Sequence, residues 1–421
     1  MQHNTRYFEL TASTYKWHLS KEKTITAWGF NNTLPGPVLR VKKGDTVVVK
    51  VKNNLPEPTM IHWHGVRLPS SMDGTHDSQA PIQPGEEFEY SFTVPDAGTF
   101  WYHSHYNETF QMERGMYGAL IVEDDEDPIF DNDRVFMLDD MKLNKNNEFS
   151  QGNRISRWME RHDGREGSTI LVNGKENPLI EMNAGQTDRW RFINASSARY
   201  VRLHLQGKRF RIIGTDGGLI ERPLETTEVM LTSGERVDIA IGSFKPGEEF
   251  TIESLPYNRV TFVKNKHTVF ANVKVAALKS TKAVLPNELR KIKQLANPNA
   301  IVNRKISMSV APSLKRGIDF LVNNQLHHHD HPVRVGELQV WEVVNKSLMD
   351  HPFHLHGFFF QVLTINDKPV ETLAWKDTVN IPPRTRVKIA WMPDNRPGKW
   401  MYHCHILEHH EAGMMSHFAV A

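Results

Sequence analysis

The stretch His403-Cys404-His405-Ile406-Leu407-Glu408-His409-His410-Glu411-Ala412-Gly413-Met414 gathers the chain's only cysteine with several histidines and a methionine. A thiolate, two imidazoles and a weak axial thioether make up the ligand set of a blue-copper electron-transfer centre. Cys404, His409 and Met414 supply three of those four ligands from one stretch. Side chains on an extended strand alternate between faces, so His403 and His405 lie opposite Cys404 and are free to bind a different metal. Such a strand would carry electrons between two centres through the bonds on either side of Cys404. A buried structural cysteine among incidental histidines is the competing reading, and it leaves the spacing unexplained.

Three further clusters stand upstream: His62-Trp63-His64, His103-Ser104-His105 and His351-Pro352-Phe353-His354-Leu355-His356. Imidazole is the commonest protein ligand for copper and zinc. One His-x-His pair arises by chance on exposed strands, but four clusters in one chain call for metal. Setting aside Cys404, His409, Met414 and one more histidine for the blue site leaves eight imidazoles, which suit a cluster of several coppers rather than a single ion.

The elements that must position these ligands are strands. Three segments repeat a pattern of Gly, an alternating apolar run, Asn and a second run; they cover residues 41–65, 183–207 and 335–357. The runs are period-2 and rich in β-branched and aromatic residues, as in Thr46-Val47-Val48-Val49-Lys50-Val51 and Val340-Trp341-Glu342-Val343-Val344, which predicts strands. Short strands at regular spacing between Gly/Pro turns predict β-sandwiches. A second unit recurs as Gly98-Thr99-Phe100-Trp101-Tyr102-His103-Ser104-His105 and Gly398-Lys399-Trp400-Met401-Tyr402-His403-Cys404-His405, with no counterpart in the middle repeat. The first and last domains are therefore expected to carry the metal ligands. The acidic stretch at 123–128 and the polar segment at 279–299 set the expected domains at 1–126, 127–280 and 281–421. Residues 154–167 are charged and aperiodic and are expected to form a surface loop; residues 287–295 fit either a short helix or a solvated linker.

A length of 421 residues is in keeping with two or three domains. The net charge of +2, with no basic run interleaved with aromatics, argues against nucleic acid and for a small-molecule partner. No apolar run approaches the ~18 residues that span a bilayer, so no membrane segment is expected. A single cysteine rules out an intrachain disulfide and says nothing of redox compartment. Met1 runs directly into the strand-like Tyr7-Phe8-Glu9-Leu10 with no signal-peptide pattern. The chain therefore either stays inside the cell or is numbered from a mature form.

The four histidine clusters, their order, the threefold repeat and the phrase Trp375-Lys376-Asp377-Thr378-Val379 resemble the multicopper oxidases, in particular their bacterial laccase-like and cuprous-oxidase branch. The resemblance spans essentially the whole chain. It implies an all-β architecture of three cupredoxin-like Greek-key β-sandwich domains and four coppers: one type 1, one type 2 and two type 3. Carried over by position, the type 1 ligands are His351, Cys404, His409 and axial Met414, and the type 2 ligands are His62 and His354. The type 3 pair falls to His64, His103, His105, His356, His403 and His405. The implied activity is one-electron oxidation of a reductant at the type 1 copper, entered through the exposed imidazole edge of His409, and reduction of dioxygen to water at the trinuclear cluster. The family is usually exported to the periplasm or beyond, and the chain is expected to be a monomer.

Four-electron reduction of dioxygen needs protons, and a carboxylate relay is expected near the cluster. Asp73, nine residues after His64, matches the family's acidic position, though an Asp before Gly is also an ordinary turn residue. Bacterial relatives usually have Glu directly after the second type 1 histidine, and this chain has His410 there. Either His410 shuttles protons, or Asp73 with Glu408 or Glu411 takes over. Axial Met414 implies a low or middling potential, suited to phenols, aromatic amines or metal ions such as Cu(I). The run His327-His328-His329-Asp330-His331 reads either as a metal-docking site for Cu(I) or, preferably, as a polar loop. Met112, Met116 and Met401 read as core filler. An oxidase of organic reductants is preferred over a metallo-oxidase acting on Cu(I) in copper tolerance. A non-enzymatic copper carrier does not account for the eight additional histidines.

Overall fold

The computed structural model describes residues 4–150, 152–259, 261–262 and 266–421. Among them the strands form six sheets, two for each third of the chain. In the first third, the sheet built from Thr24–Phe30, Thr5–His18, Thr46–Asn53 and Glu87–Thr93 packs on the sheet built from Gly36–Lys42, Tyr117–Glu123, Gly98–Ser104 and Ile61–His64. The middle third stacks a seven-stranded on a five-stranded sheet, and the last third a six-stranded on a five-stranded one. Each third thus encloses its own apolar core, and the fold is three cupredoxin-like β-sandwiches.

The repeat seen in the sequence reappears as register. Thr5–His18 runs parallel to Thr46–Asn53, Asn132–Met141 to Thr187–Asn194, and Arg304–Ser313 to Gln339–Asn345. Within Thr46–Asn53 the alternation does the expected sorting: Val47, Val49 and Val51 are fully buried, each contributing about 1.5–3 kcal/mol, while Lys50 and Lys52 face water.

The ligand-bearing strands depart from that alternation, since every residue of Ile61–His64, Gly98–Ser104 and His351–Leu355 is buried. The period of two still decides which way each side chain goes. Trp63, Phe100 and Tyr102 enter the first core, and Phe353, Leu355, Tyr402 and Cys404 enter the third. The alternate residues, His62, His64, His103, His354, His356 and His403, therefore point outward, onto the face where the first and third sandwiches meet. Trp101 leads that outward row, packing with Met137, Ile193 and Leu407 in a separate cluster.

Two expectations about connecting segments change. Residues 154–163 form an α-helix rather than a surface loop. The Asn153 side chain accepts from Ser156 N–H as its N-cap, and Lys142 ties it down by pairing with Glu160. Ile155, Trp158 and Met159 do recur at helical spacing, but over less than two turns and among charged residues, and Ile155 and Trp158 face outward, so the helix buries no apolar stripe. Residues 287–295 take the linker form, extended and without helix.

Candidate metal centres

Two strand pairings build the sites. His62 lies opposite His103, and His354 lies opposite His403, at equivalent points of the first and third sandwiches. Beyond the strand Gly398–Cys404 the chain turns into the short helix Leu407–Glu411, which brings His409 back beside Cys404.

On the inner side of that strand, Cys404 Sγ lies 3.5 Å from His351 Nδ1 and 3.6 Å from His409 Nδ1, and the two Nδ1 atoms are 3.2 Å apart. Atoms at these separations can share one ion roughly 2 Å from each, the range of nitrogen and sulfur bonds to such metals. The far nitrogens are committed elsewhere: His351 Nε2–H donates to Ser347 Oγ (3.0 Å) and His409 Nε2–H to the His162 carbonyl (3.0 Å). Met414 is fully buried in the same core, its N–H donating to His409 O and its carbonyl accepting from Cys404 N–H. Burial raises the Cys404 thiol above its ordinary pKa and holds His351 down at about 3 and His409 well below the usual imidazole range. The imidazoles are thus neutral, and a metal must displace the thiol proton to bind. A soft thiolate, two imidazoles and a thioether fit copper.

The expected exposed edge of His409 is a correction. His409 is fully buried, because the helix Arg154–Asp163 lies over it and offers the His162 carbonyl to its Nε2–H. The spacing of Ile155, Trp158 and Met159 is compatible with a helix, but nothing local says that it docks over an imidazole 247 residues beyond His162 along the chain.

On the outer side of the strands eight imidazoles converge. Each commits one ring nitrogen to an oxygen. His62, His103, His354 and His403 donate from Nδ1 to the carbonyls of Asp73, Ser104, Asp377 and Cys404. His105 Nδ1 pairs with Glu108 Oε1 (3.0 Å), His356 Nδ1 with Asp73 Oδ2 (2.9 Å), His405 Nδ1 with Ser233 Oγ (3.0 Å) and His64 Nε2 with Asp377 Oδ1 (3.1 Å). The opposite nitrogens of His62, His64, His103, His105, His354 and His405 are buried without any partner, and those of His356 and His403 face each other at 2.9 Å. Buried nitrogens are not left unsatisfied without cause; six of them, with the facing pair of His356 and His403, fit a multinuclear metal site. Ring nitrogens of His62, His354 and His356, and again of His105, His356 and His403, lie within 4.8 Å of one another.

Electrostatics keep five of the donors neutral. Burial, reinforced by neighbouring imidazoles, holds His64, His103, His356 and His403 well below the usual imidazole range, and His405 at about 3. His105 is the exception: burial opposes its charge, but Glu108 outweighs burial and raises it. The backbone approaches closely at two glycines. A Cβ on Gly74 would sit 1.8 Å from the Ile61 carbonyl, so the turn that presents Asp73 needs glycine, and one on Gly234 would sit 2.8 Å from the His405 ring.

Of the residues singled out as proton carriers, Asp73 lies at the cluster, bound to both His62 and His356. His410 stacks on His403 with ring centroids 4.1 Å apart and donates from Nδ1 to Glu108 Oε2 (3.0 Å). Glu411 instead accepts from Thr109 N–H and Oγ1–H, and half-buried Glu408 lies beside Arg165. Two cluster residues were missed. Glu108 bridges His105 and His410, and it had no sequence signal beyond standing three residues after His105. Asp377 binds His64 and His354 and pairs with Arg236 of the middle sandwich (2.7 and 2.5 Å); it sits within the phrase Trp375-Lys376-Asp377-Thr378-Val379, which was read only as a connecting marker.

Three family models, each described as multicopper oxidase, match residues 11–127, 133–280 and 297–421. The chain is 32% identical to "Multicopper oxidase mco" of Staphylococcus aureus, over 98% of this chain and 88% of that protein. Among solved structures, "Multicopper oxidase from Campylobacter jejuni: a metallo-oxidase" superposes with a TM-score of 0.87 at 32% identity, covering 99% of this chain and 91% of that one. A laccase from Pediococcus acidilactici superposes with a TM-score of 0.85 at 29% identity, covering 99% and 90%.

Proposed function

The chain belongs to the multicopper oxidases, copper oxidoreductases that use dioxygen and carry four coppers, and from that premise we propose that it oxidises small aromatic reductants such as phenols and aromatic amines. We assign His351, Cys404, His409 and Met414 to type 1 copper, and His62 and His354 to type 2 copper. His64, His103 and His405, and His105, His356 and His403, are assigned to the two type 3 coppers. The support is the buried triangle of one sulfur and two ring nitrogens on one face of the Cys404 strand and, on the other, eight converging imidazole nitrogens, six without a partner and two that face each other.

When bound, the coppers take electrons singly from the reductant and deliver four of them to dioxygen, which with four protons gives two waters. The chain's own part is positioning and proton supply. The paired nitrogens fix every imidazole's tautomer and orientation before metal arrives. Cys404 is bonded through the backbone to His403 and His405, so a single strand spans both centres. Asp73 is buried at the cluster with Oδ1 free of any hydrogen-bond partner, and in our reading this oxygen takes up and releases the protons that dioxygen reduction consumes.

The observation that carries the aromatic-reductant reading is the surface above His409. There Trp158, 41% exposed, stands with His162 and Phe262, ring centroids 5.0–5.7 Å apart, and His162 is the residue whose carbonyl accepts from His409. Aromatic faces of this kind stack on planar substrates. The second reading, Cu(I) as the reductant, is supported by the printed description of the Campylobacter jejuni relative as a metallo-oxidase. Oxygen uptake separates the two. Trp158→Ala is expected to raise KM for a phenol several-fold and leave Cu(I) oxidation unchanged; loss of Cu(I) oxidation with unaltered phenol kinetics would reverse the preference.

A further inference from the structure

A cavity of about 490 Å³ opens against His105 of the imidazole cluster, and besides histidines and methionines its wall carries the carboxylates of Glu108 and Glu411. His76 and His327 are exposed residues of this lining, His417 is half-buried, and Met401, Met415 and His410 are buried. Four imidazoles and two thioethers thus face one space, and none of the six belongs to the ligand sets assigned above.

They come from three parts of the chain: the turn after Asp73 gives His76, the 327–331 run gives His327, and the C-terminal segment gives Met401, His410, Met415 and His417. His76 follows the Asp73 turn and packs its ring against Tyr106 (5.7 Å between centroids). His327 is held by its N–H donating to Gly413 O. His417 Nδ1 faces the Asp77 carboxylate, leaving Nε2 as its donor, and His329 stacks on the same ring at 5.3 Å. His410 has its Nδ1 committed to Glu108 and likewise has only Nε2 to offer. Met401 is on the outward row of the strand that carries His403, so the thioether read as core filler reaches this space as well as being buried.

We propose that this cavity is a binding site for monovalent copper, distinct from the four family coppers. Thioethers beside imidazoles favour Cu(I), a soft ion, over hard divalent cations, which take oxygen; of the two carboxylates in the wall, Glu108 is engaged by His105 and His410 and Glu411 by Thr109. Long, flexible methionine side chains adapt to the low coordination numbers of such an ion. The donors run from exposed to buried, and the cavity wall includes His105 and His410, so an ion held there rests against the imidazole cluster. The site does not depend on which reductant feeds the type 1 centre. It also gives part of the 327–331 run a metal-facing role: His327 lines the cavity, whereas His328 Nδ1 turns to Ser416 Oγ (2.9 Å).

The test is an anaerobic titration of fully copper-loaded, reduced protein with Cu(I) buffered by a chromophoric chelator. Wild type is expected to withdraw one equivalent beyond four, and the double variant Met401→Leu, Met415→Leu to lose it or bind it at least tenfold more weakly, with the four resident coppers and the thiolate absorption unchanged. Because the two methionines are buried, the variant His76→Asn, His327→Asn, at exposed positions, is expected to weaken the same equivalent. Silver(I), a redox-inert analogue, is expected to give an anomalous peak between Met401 and Met415 in crystals. Absence of the extra equivalent in wild type, its undiminished retention in both variants, or a silver peak elsewhere overturns the site.

Discussion

Asp73 and Asp377 occupy matching stations on opposite sides of the imidazole cluster and are put to different use. Each accepts from one histidine of its own sandwich through its carbonyl, His62 for Asp73 and His354 for Asp377. Each also accepts from a histidine of the other sandwich through its carboxylate, His356 and His64 respectively. The two aspartates therefore lace the first and third sandwiches together with the same bonds run in opposite directions. What differs is the company of the carboxylates. Asp377 has both oxygens on Arg236 and accepts from Thr378 Oγ1–H besides, whereas Asp73 has no guanidinium: its Oδ1 is buried without a hydrogen bond, with His62 Nδ1 3.4 Å away. Burial resists the ionisation of Asp377, but Arg236 overcomes it and holds its carboxyl well below the usual range. A buried carboxylate saturated by a guanidinium is a strut; one with an oxygen to spare is equipped to carry a proton. The counter-ion decides, and it comes from the middle sandwich, which holds none of the assigned copper ligands.

The largest expected effect is at the strut. Asp377→Asn takes from buried Arg236 its closest carboxylate and leaves it only Asp216 Oδ1 at 3.6 Å, a loss of up to about 3–5 kcal/mol, read as a lower unfolding midpoint together with fewer than four coppers per chain. A variant as stable and as copper-rich as wild type would erase the distinction between the two aspartates. Asp73→Asn is the counterpart. It is expected to keep the fold, the four coppers and rapid reduction of the type 1 centre while slowing dioxygen reduction by about 10²-fold or more, seen as accumulation of bleached protein under turnover. If Asp73→Asn instead loses copper as Asp377→Asn does, both residues are struts. The smallest effect is expected at His410→Gln. An amide can still donate to Glu108, so turnover with a phenol should fall by less than about tenfold; a loss as large as that of Asp73→Asn would make His410 and Glu108 the principal proton route.

How much of this could be read in the sequence follows from what each residue depends on. The histidine pairs announce themselves because ligand and strand period are both local, and alternation alone puts Cys404 on the face opposite His403 and His405. The three sandwiches were legible for the same reason, through Gly-punctuated runs such as Thr46–Asn53. Asp377 was not, because its role is set by Arg236, 141 residues away along the chain. Nor was the helix Arg154–Asp163: Ile155, Trp158 and Met159 carry a short helical period, but it is held by a cap and by polar side chains and buries no apolar stripe, so nothing marked it as the cover of His409. The contribution of Glu108 depends on His410 arriving from the far end of the chain, 302 residues on, and neither residue by itself signals the pair.

The central claim is that one sulfur joins two metal centres, and copper content with visible absorption of the loaded protein tests it most directly, in wild type beside Cys404→Ser. Wild type is expected to hold four coppers and show an intense thiolate-to-copper band. The serine variant should lose the band and one copper, retain three, and consume no dioxygen when given a phenol. A copper-loaded wild type without colour, or a serine variant that still turns over, would contradict it.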